Sequence, residues 1–147
     1  MDQLELKTLL LDQHQFDRLE CFITSPNGWD GQEGIPAARQ TVAHTLQIMQ
    51  RLKSEGIVDY AMTMDCDGII ELSVADRDTD VTLYIRRNGN VDHIILNTDD
   101  AHYMGDNDIK FMVTRKAPEV PDVIIQEMKR VLRSDDHGDQ ENRNTAH

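Results

Sequence analysis

Few of the residues that usually announce chemistry are present. The chain has only two cysteines, Cys21 and Cys66, far apart and without C-x-x-C or C-x-x-H spacing, so no disulfide framework or zinc knuckle is written into it. Its six histidines, His14, His44, His93, His102, His137 and His147, never fall at a metal-ligand spacing with one another or with cysteine. No metal and no cofactor is expected, because the G-x-S-x-G turn, the phosphate-cradling glycine loop and the dinucleotide fingerprint are all missing. Long apolar runs are lacking too, which argues against a membrane span. The start, "MDQLELKTLLLDQHQF", is acidic from its second residue and does not read as a secretion signal. These features describe a cytoplasmic protein with reduced thiols and no membrane partner.

Basic residues are the other shortage: 15 Lys and Arg face 27 Asp and Glu, for a net charge of −12. The imbalance is local, since residues 59–108 hold twelve acids and three bases. A surface of that sign repels nucleic acid directly and attracts basic protein surfaces.

At 147 residues the chain is long enough for one ordinary core, and residues 1–133 are expected to form a single α+β domain. Apolar residues from Leu4 to Ile23 recur at three and four, predicting a helix that ends at Pro26 and Gly28. A second helix is expected to start with Pro36 as its first residue and to bury Ala38, Val42, Leu46, Met49 and Leu52 before Gly56 stops it. From Tyr60 the period changes to two. "YAMTM", "IIELSV", "VTLYIR", "VDHIIL" and "IKFMVTR" predict an antiparallel sheet of four to five strands. Asn88-Gly89, read as a two-residue type I′ turn, sets Leu83 opposite Ile94 and Tyr84 opposite His93. The preceding loop sets Val74 opposite Val81 and Leu72 opposite Leu83. Pro118 and Pro121 open a C-terminal helix with an apolar stripe of Val120, Val123, Ile124, Met128, Val131 and Leu132. Residues 134–147, almost without apolar side chains, are expected to form a disordered acidic and polar tail.

Candidate chemistry is sparse. Asp76, Asp78 and Asp80 begin like a calcium loop, but Val81 and Arg87 stand where the loop needs glycine and glutamate. No residue is assigned a catalytic role. The wetter sheet face is expected to carry a polar site of Glu71, Tyr84, Arg86 and His93, with Tyr84 and His93 as cross-strand neighbours. Cys66, between two aspartates, has its thiolate disfavoured by like charge.

The segment "NGWDGQEGIP", the helix after it, and then "DGIIELSV" and "VTLYIRRNGNVDHIIL" resemble a group of small, largely uncharacterised bacterial proteins. Their shared pattern is a Trp-Asp-Gly segment ending in proline, a helix and an antiparallel meander. The resemblance covers about residues 27–97 and rests on Asn27, Trp29, Asp30, Gly31, Gly34, Pro36, Asp67, Gly68 and Gly89. It implies the fold outline and no activity. Physically, Trp29, Asp30, Gly31 and Pro36 read as structural residues of a glycine-rich turn between two helices.

The leading functional expectation is a non-enzymatic binding or inhibitor protein, of the antitoxin, immunity or phage anti-defence type such as an anti-CRISPR. It would dock Asp76, Asp78, Asp80, Asp99, Asp100, Asp106 and Asp108 on a basic partner such as a nucleic-acid-handling complex. The alternative is a small enzyme or ligand-binding domain using the Tyr84 and His93 face. A homodimer through exposed Ile69, Val91 and Ile95 is a third reading.

Overall fold

The computed structural model describes residues 13–29, 31–32, 34–97 and 109–145, with side chains in the last helix described through Ser134. The elements run α1 (Gln13–Thr24), α2 (Arg39–Ser54), β1 (Ala61–Met64), β2 (Ile70–Ala75), β3 (Thr79–Ile85), β4 (Asn90–Asn97), β5 (Ile109–Lys116) and α3 (Asp122–Thr145). The strands form one antiparallel meander in the order β1-β2-β3-β4-β5. α2 and α3 pack on β2 and β3, and α1 packs on α2, so one sheet face is covered. The chain is α+β, and no helix among the described residues is long and apolar enough to cross a membrane.

The alternation of each strand decides which side chains meet the helices. Ile70, Leu72 and Val74 of β2 and Val81, Leu83 and Ile85 of β3 are buried together. Their partners are those expected, Ile70 with Ile85, Leu72 with Leu83 and Val74 with Val81. α2 contributes Val42, Leu46, Met49 and Leu52 from one stripe, and α3 contributes Ile124, Ile125, Met128 and Val131. Ile125, not Val123, completes that stripe: Val123 is exposed. Lys129 bonds Glu55 at 2.9 Å, tying α3 to the end of α2 and holding the Glu55 carboxyl below its usual range through that bond and its charge.

Two boundaries differ from expectation. Pro36 is not the first residue of α2, which starts at Arg39 with Ala38 as its cap. Pro36 instead lies in an extended link whose neighbours are pinned elsewhere: the Ile35 N–H donates to the Cys66 carbonyl at 2.9 Å and the Ala37 N–H to the Phe22 carbonyl at 3.0 Å. At the other end, α3 does not stop at residue 133 but continues through Thr145. Polarity keeps residues after Ser134 from adding to an apolar stripe, yet it does not end helical hydrogen bonding that packed earlier turns have nucleated. The first half of the expected N-terminal helix, residues 1–12, lies outside the described residues.

The Trp29 segment is a hydrogen-bonded loop. The Gly28 N–H donates to Gly34, the Gly31 N–H donates to Gly28, and the Trp29 indole Nε1 donates to the Ile35 carbonyl at 2.8 Å. Asp30 lies outside the described residues. The loop rests on the β1–β2 turn, where Asp65 Oδ1 accepts the N–H groups of Asp67 and Ile69.

Register departs from expectation at one hairpin, with large consequences. β3 and β4 pair as Ile85 with Val91, Leu83 with His93 and Val81 with Ile95, one residue from the expected alignment. The Arg86 N–H bonds the Asn90 carbonyl and the Gly89 N–H bonds the Arg86 carbonyl, leaving a three-residue loop, Arg87 to Gly89. Within this loop only Gly89 has positive φ, at 87°. A type I′ turn needs positive φ at both Asn88 and Gly89, whereas one left-handed glycine after an ordinary turn gives the longer loop. Because side chains alternate, one residue of slip exchanges the two faces of β4.

Candidate functional site

The exchange dismantles the expected Tyr84 and His93 pair. His93 is fully buried, at 0% exposure, in a core row with Met62, Leu72, Leu83 and Val113. Neither ring nitrogen has a hydrogen-bond partner. Burial pushes its pKa down, aided by the charge of Arg115; approaches to the backbone of Val113 and Glu119, short of good hydrogen-bond geometry, and the charge of Asp92 oppose this. The imidazole is therefore held neutral in the core and cannot act with Tyr84, which stands on the opposite face.

The uncovered face is organised in rows across the sheet. One row runs Thr63, Glu71, Tyr84, Asp92, Thr114 through all five strands. The next runs Ala61, Ser73, Thr82, Ile94, Met112, and the third Ala75, Asp80, Leu96, Ile109. The slip thus trades His93 for Asp92 on this face and adds Ile94 and Leu96 to it. Val91 and Ile95, expected to be exposed and to pair two copies, are buried in the core, and Ile69 is half-buried.

Charge on this face is unevenly satisfied. Burial pushes the Asp92 carboxyl up, but hydrogen bonds from Thr114 at 2.7 Å and Arg86, with the Arg86 charge, outweigh it and hold Asp92 below its ordinary value. Arg86 is likewise used by Asp92 at 2.7 Å. Glu71 receives only the Thr63 hydroxyl, and Asp80 only the Thr82 hydroxyl; neither has a cationic partner among the described residues. Tyr84 stands directly opposite Glu71 and four residues along β3 from Asp80, and its phenol is pushed up first by burial and then by the carboxylates of Glu71, Asp80 and Asp65. A phenol so placed remains protonated and serves as a hydrogen-bond donor rather than a base.

The acids of the β2–β3 turn divide in role. Asp76 is only 7% exposed in its side chain; its Oδ1 accepts the N–H groups of Asp78 and Thr79 at 2.8 Å each, and Arg130 of α3 approaches at 3.9 Å. Arg130 also donates to the Thr79 hydroxyl at 2.9 Å. Asp76 is thus committed to joining the turn to α3 and is not free for a partner. Replacing it, Asp76→Ala, is expected to cost about 1–3 kcal/mol by stranding those donors. A urea midpoint unchanged from the parent protein would contradict this role. Asp78 is exposed and Asp80 half-buried. Asp99, Asp100, Asp106 and Asp108 lie outside the described residues. Among the described residues, no three His, Cys, Asp or Glu side chains converge as metal ligands.

Clefts also lie beside the helices and at the β1 edge of the sheet. An apolar groove of about 290 Å³ between α1 and α2 is lined by Phe16, Leu19, Ile23, Val42 and Leu46. A second, of about 280 Å³, lies beside β1 and includes His14, Arg18 and Tyr60. Neither gathers a nucleophile, a base and an orienting group. Glu71, Tyr84 and Arg86 do share this face as expected; what the sequence does not reveal is that Asp80, grouped with the loop acids, belongs to it and His93 does not. The correct β2–β3 register already placed Glu71 opposite Tyr84. No protein-family model, no curated protein and no solved structure matches the chain.

Proposed function

We propose that this is a non-enzymatic binding protein whose open sheet face docks on a basic protein surface. The observation that carries the reading is a pair of carboxylates, Glu71 and Asp80, without a cationic partner among the described residues, on the same face as a protonated Tyr84, a face on which no helix of the described residues packs. The adjoining Ile94 and Met112 give this face an apolar flank beside its charged row, a mixture suited to a protein partner. Carboxylates set at intervals on a stiff sheet compete with phosphates for Lys and Arg, so inhibitors of nucleic-acid-handling complexes, antitoxins and immunity proteins are the class it fits. Membership of the bacterial Trp-Asp-Gly…Pro group belongs to the same proposal. A two-fold dimer through this face would bring two such carboxylate clusters together, which favours a basic partner over a second copy.

The test uses an arginine-rich peptide at low salt. Reversing Glu71→Lys and Asp80→Lys is expected to weaken binding about tenfold or more, while reversing Asp17 and Asp59, the same change in net charge, has a much smaller effect. Equal losses from the two double variants would mean that only overall charge matters and would sink the proposal.

A further inference from the structure

The two edges of the sheet are treated differently. At β1, the Arg18 side chain of α1 donates from Nε to the Met62 carbonyl at 2.7 Å, so a helix-borne cation occupies a backbone acceptor of that short edge strand. At the opposite edge stands β5, eight residues long, with six of them exposed. Among the described residues β5 pairs only with β4 in the sheet, so the backbone groups of Lys110, Met112, Thr114 and Lys116 point outwards. Arg115 Nη1 donates to the Thr114 carbonyl at 3.1 Å and the Glu119 N–H to the Lys116 carbonyl at 3.0 Å, which leaves the Lys110 and Met112 carbonyls and the four outward N–H groups for a partner. It also carries large exposed apolar side chains, Ile109 at 55% and Met112 at 61%.

Charge decides what can add there. In a chain of net charge −12, β5 contains three bases, Lys110, Arg115 and Lys116, and no acid. Antiparallel pairing of β5 with its counterpart in a second copy, centred on Val113, would set Lys110 against Lys116 twice and so disfavour that dimer. An extended segment bearing carboxylates at its ends and apolar residues in its middle meets the opposite situation. Its backbone pairs with the outward groups left open between Lys110 and Lys116, its apolar residues cover Met112 and Phe111, and its acids meet Lys110 and Lys116, Arg115 being held by Glu119 at 3.7 Å. A bulge at Ile95/Leu96 leaves Ile109 opposite Leu96 and ends the regular ladder at that corner.

We infer that the free edge of β5 is a strand-addition site for an acidic, extended peptide segment of a partner protein. This goes beyond the docking of the open face and, although Met112 borders both, rests on the edge backbone and bases of β5, so charge reversal at Glu71 and Asp80 leaves it intact.

The probes are two fluorescent peptides of about nine residues, matched to the length of β5. Both have a Val/Thr centre; one is flanked by glutamates and the other by lysines. Anisotropy is expected to show binding of the glutamate peptide only, weakened by salt and by about tenfold or more in the Lys110→Glu, Lys116→Glu variant. With peptide bound, outward β5 amides are expected to exchange hydrogen about tenfold or more slowly, with β1 amides unchanged. Equal binding of both peptides, no binding, or binding without β5 protection would overturn the inference. Outward β5 amides already protected in the free protein would overturn it as well, since the edge would then be closed by the chain itself.

Discussion

Lowering the pH from about 7 to about 5 is expected to destabilise the protein, and His93→Leu to remove most of that dependence while raising stability at neutral pH. An unfolded histidine titrates near 6.5, and burial among Leu72, Leu83 and Val113 holds the folded group below that value. Above the unfolded pKa the ring is neutral in both states and contributes no pH dependence. As the pH falls below it, the unfolded chain takes the proton first, and stability declines until the folded pKa is reached. One proton gives a slope of at most about 1.4 kcal/mol per pH unit. Asp92 and Glu55, held below their ordinary values, act with a different window, since their contribution is lost only as the pH falls below that of free carboxylates, near 4. Urea unfolding of both proteins across this range checks the claim. Because two ring nitrogens lie buried without partners, an apolar residue of similar size relieves a cost of about 1–3 kcal/mol. A His93→Leu variant that is markedly less stable, or that keeps the full slope, would contradict the placement of the ring.

The second large effect is expected at Gly68. Its φ is +74°, and a Cβ there would stand 2.6 Å from the Pro36 carbonyl oxygen and 3.1 Å from the Pro36 carbonyl carbon. Both are backbone atoms, which cannot swing aside as a side chain would. Gly68→Ala must therefore separate the β1–β2 turn from the link between the Trp29 loop and α2, straining the Ile35 bond to Cys66. A loss of about 2–4 kcal/mol is expected, the left-handed backbone supplying about 1–2 of it. Gly89→Ala meets only the His44 ring at 3.3 Å, and Gly31→Ala meets nothing within 4 Å, so each should cost mainly the backbone term. Thermal or urea midpoints of the three variants test the order, and a Gly68→Ala protein no weaker than Gly31→Ala would break it.

How much of this was legible beforehand follows from where the pattern was redundant. In β2 and β3 the apolar residues occupy one parity, Ile70, Leu72 and Val74 against Val81, Leu83 and Ile85, and the register follows from alternation. β4 is different. Val91 and Ile95 occupy one parity and Ile94 and Leu96 the other, so hydrophobicity alone leaves the choice to the turn. Asn88-Gly89 suits a two-residue loop by composition, yet the chain uses Gly89 alone in the left-handed region. That single conformational choice buries His93, frees Ile94 and moves the candidate site from a Tyr84 and His93 pair to Glu71, Tyr84 and Asp80. Asp76 illustrates a second limit: its role depends on Arg130, more than fifty residues away, a contact that no local pattern encodes.

The docking face itself is tested most directly by following backbone amide and tyrosine resonances while an arginine-rich peptide is titrated into the full chain at moderate salt. Shifts centred on Glu71, Ser73, Asp80 and Tyr84, in the middle of the uncovered sheet, are the predicted result. Shifts confined to residues 98–108 or 134–147, with the sheet face unmoved, would contradict the account.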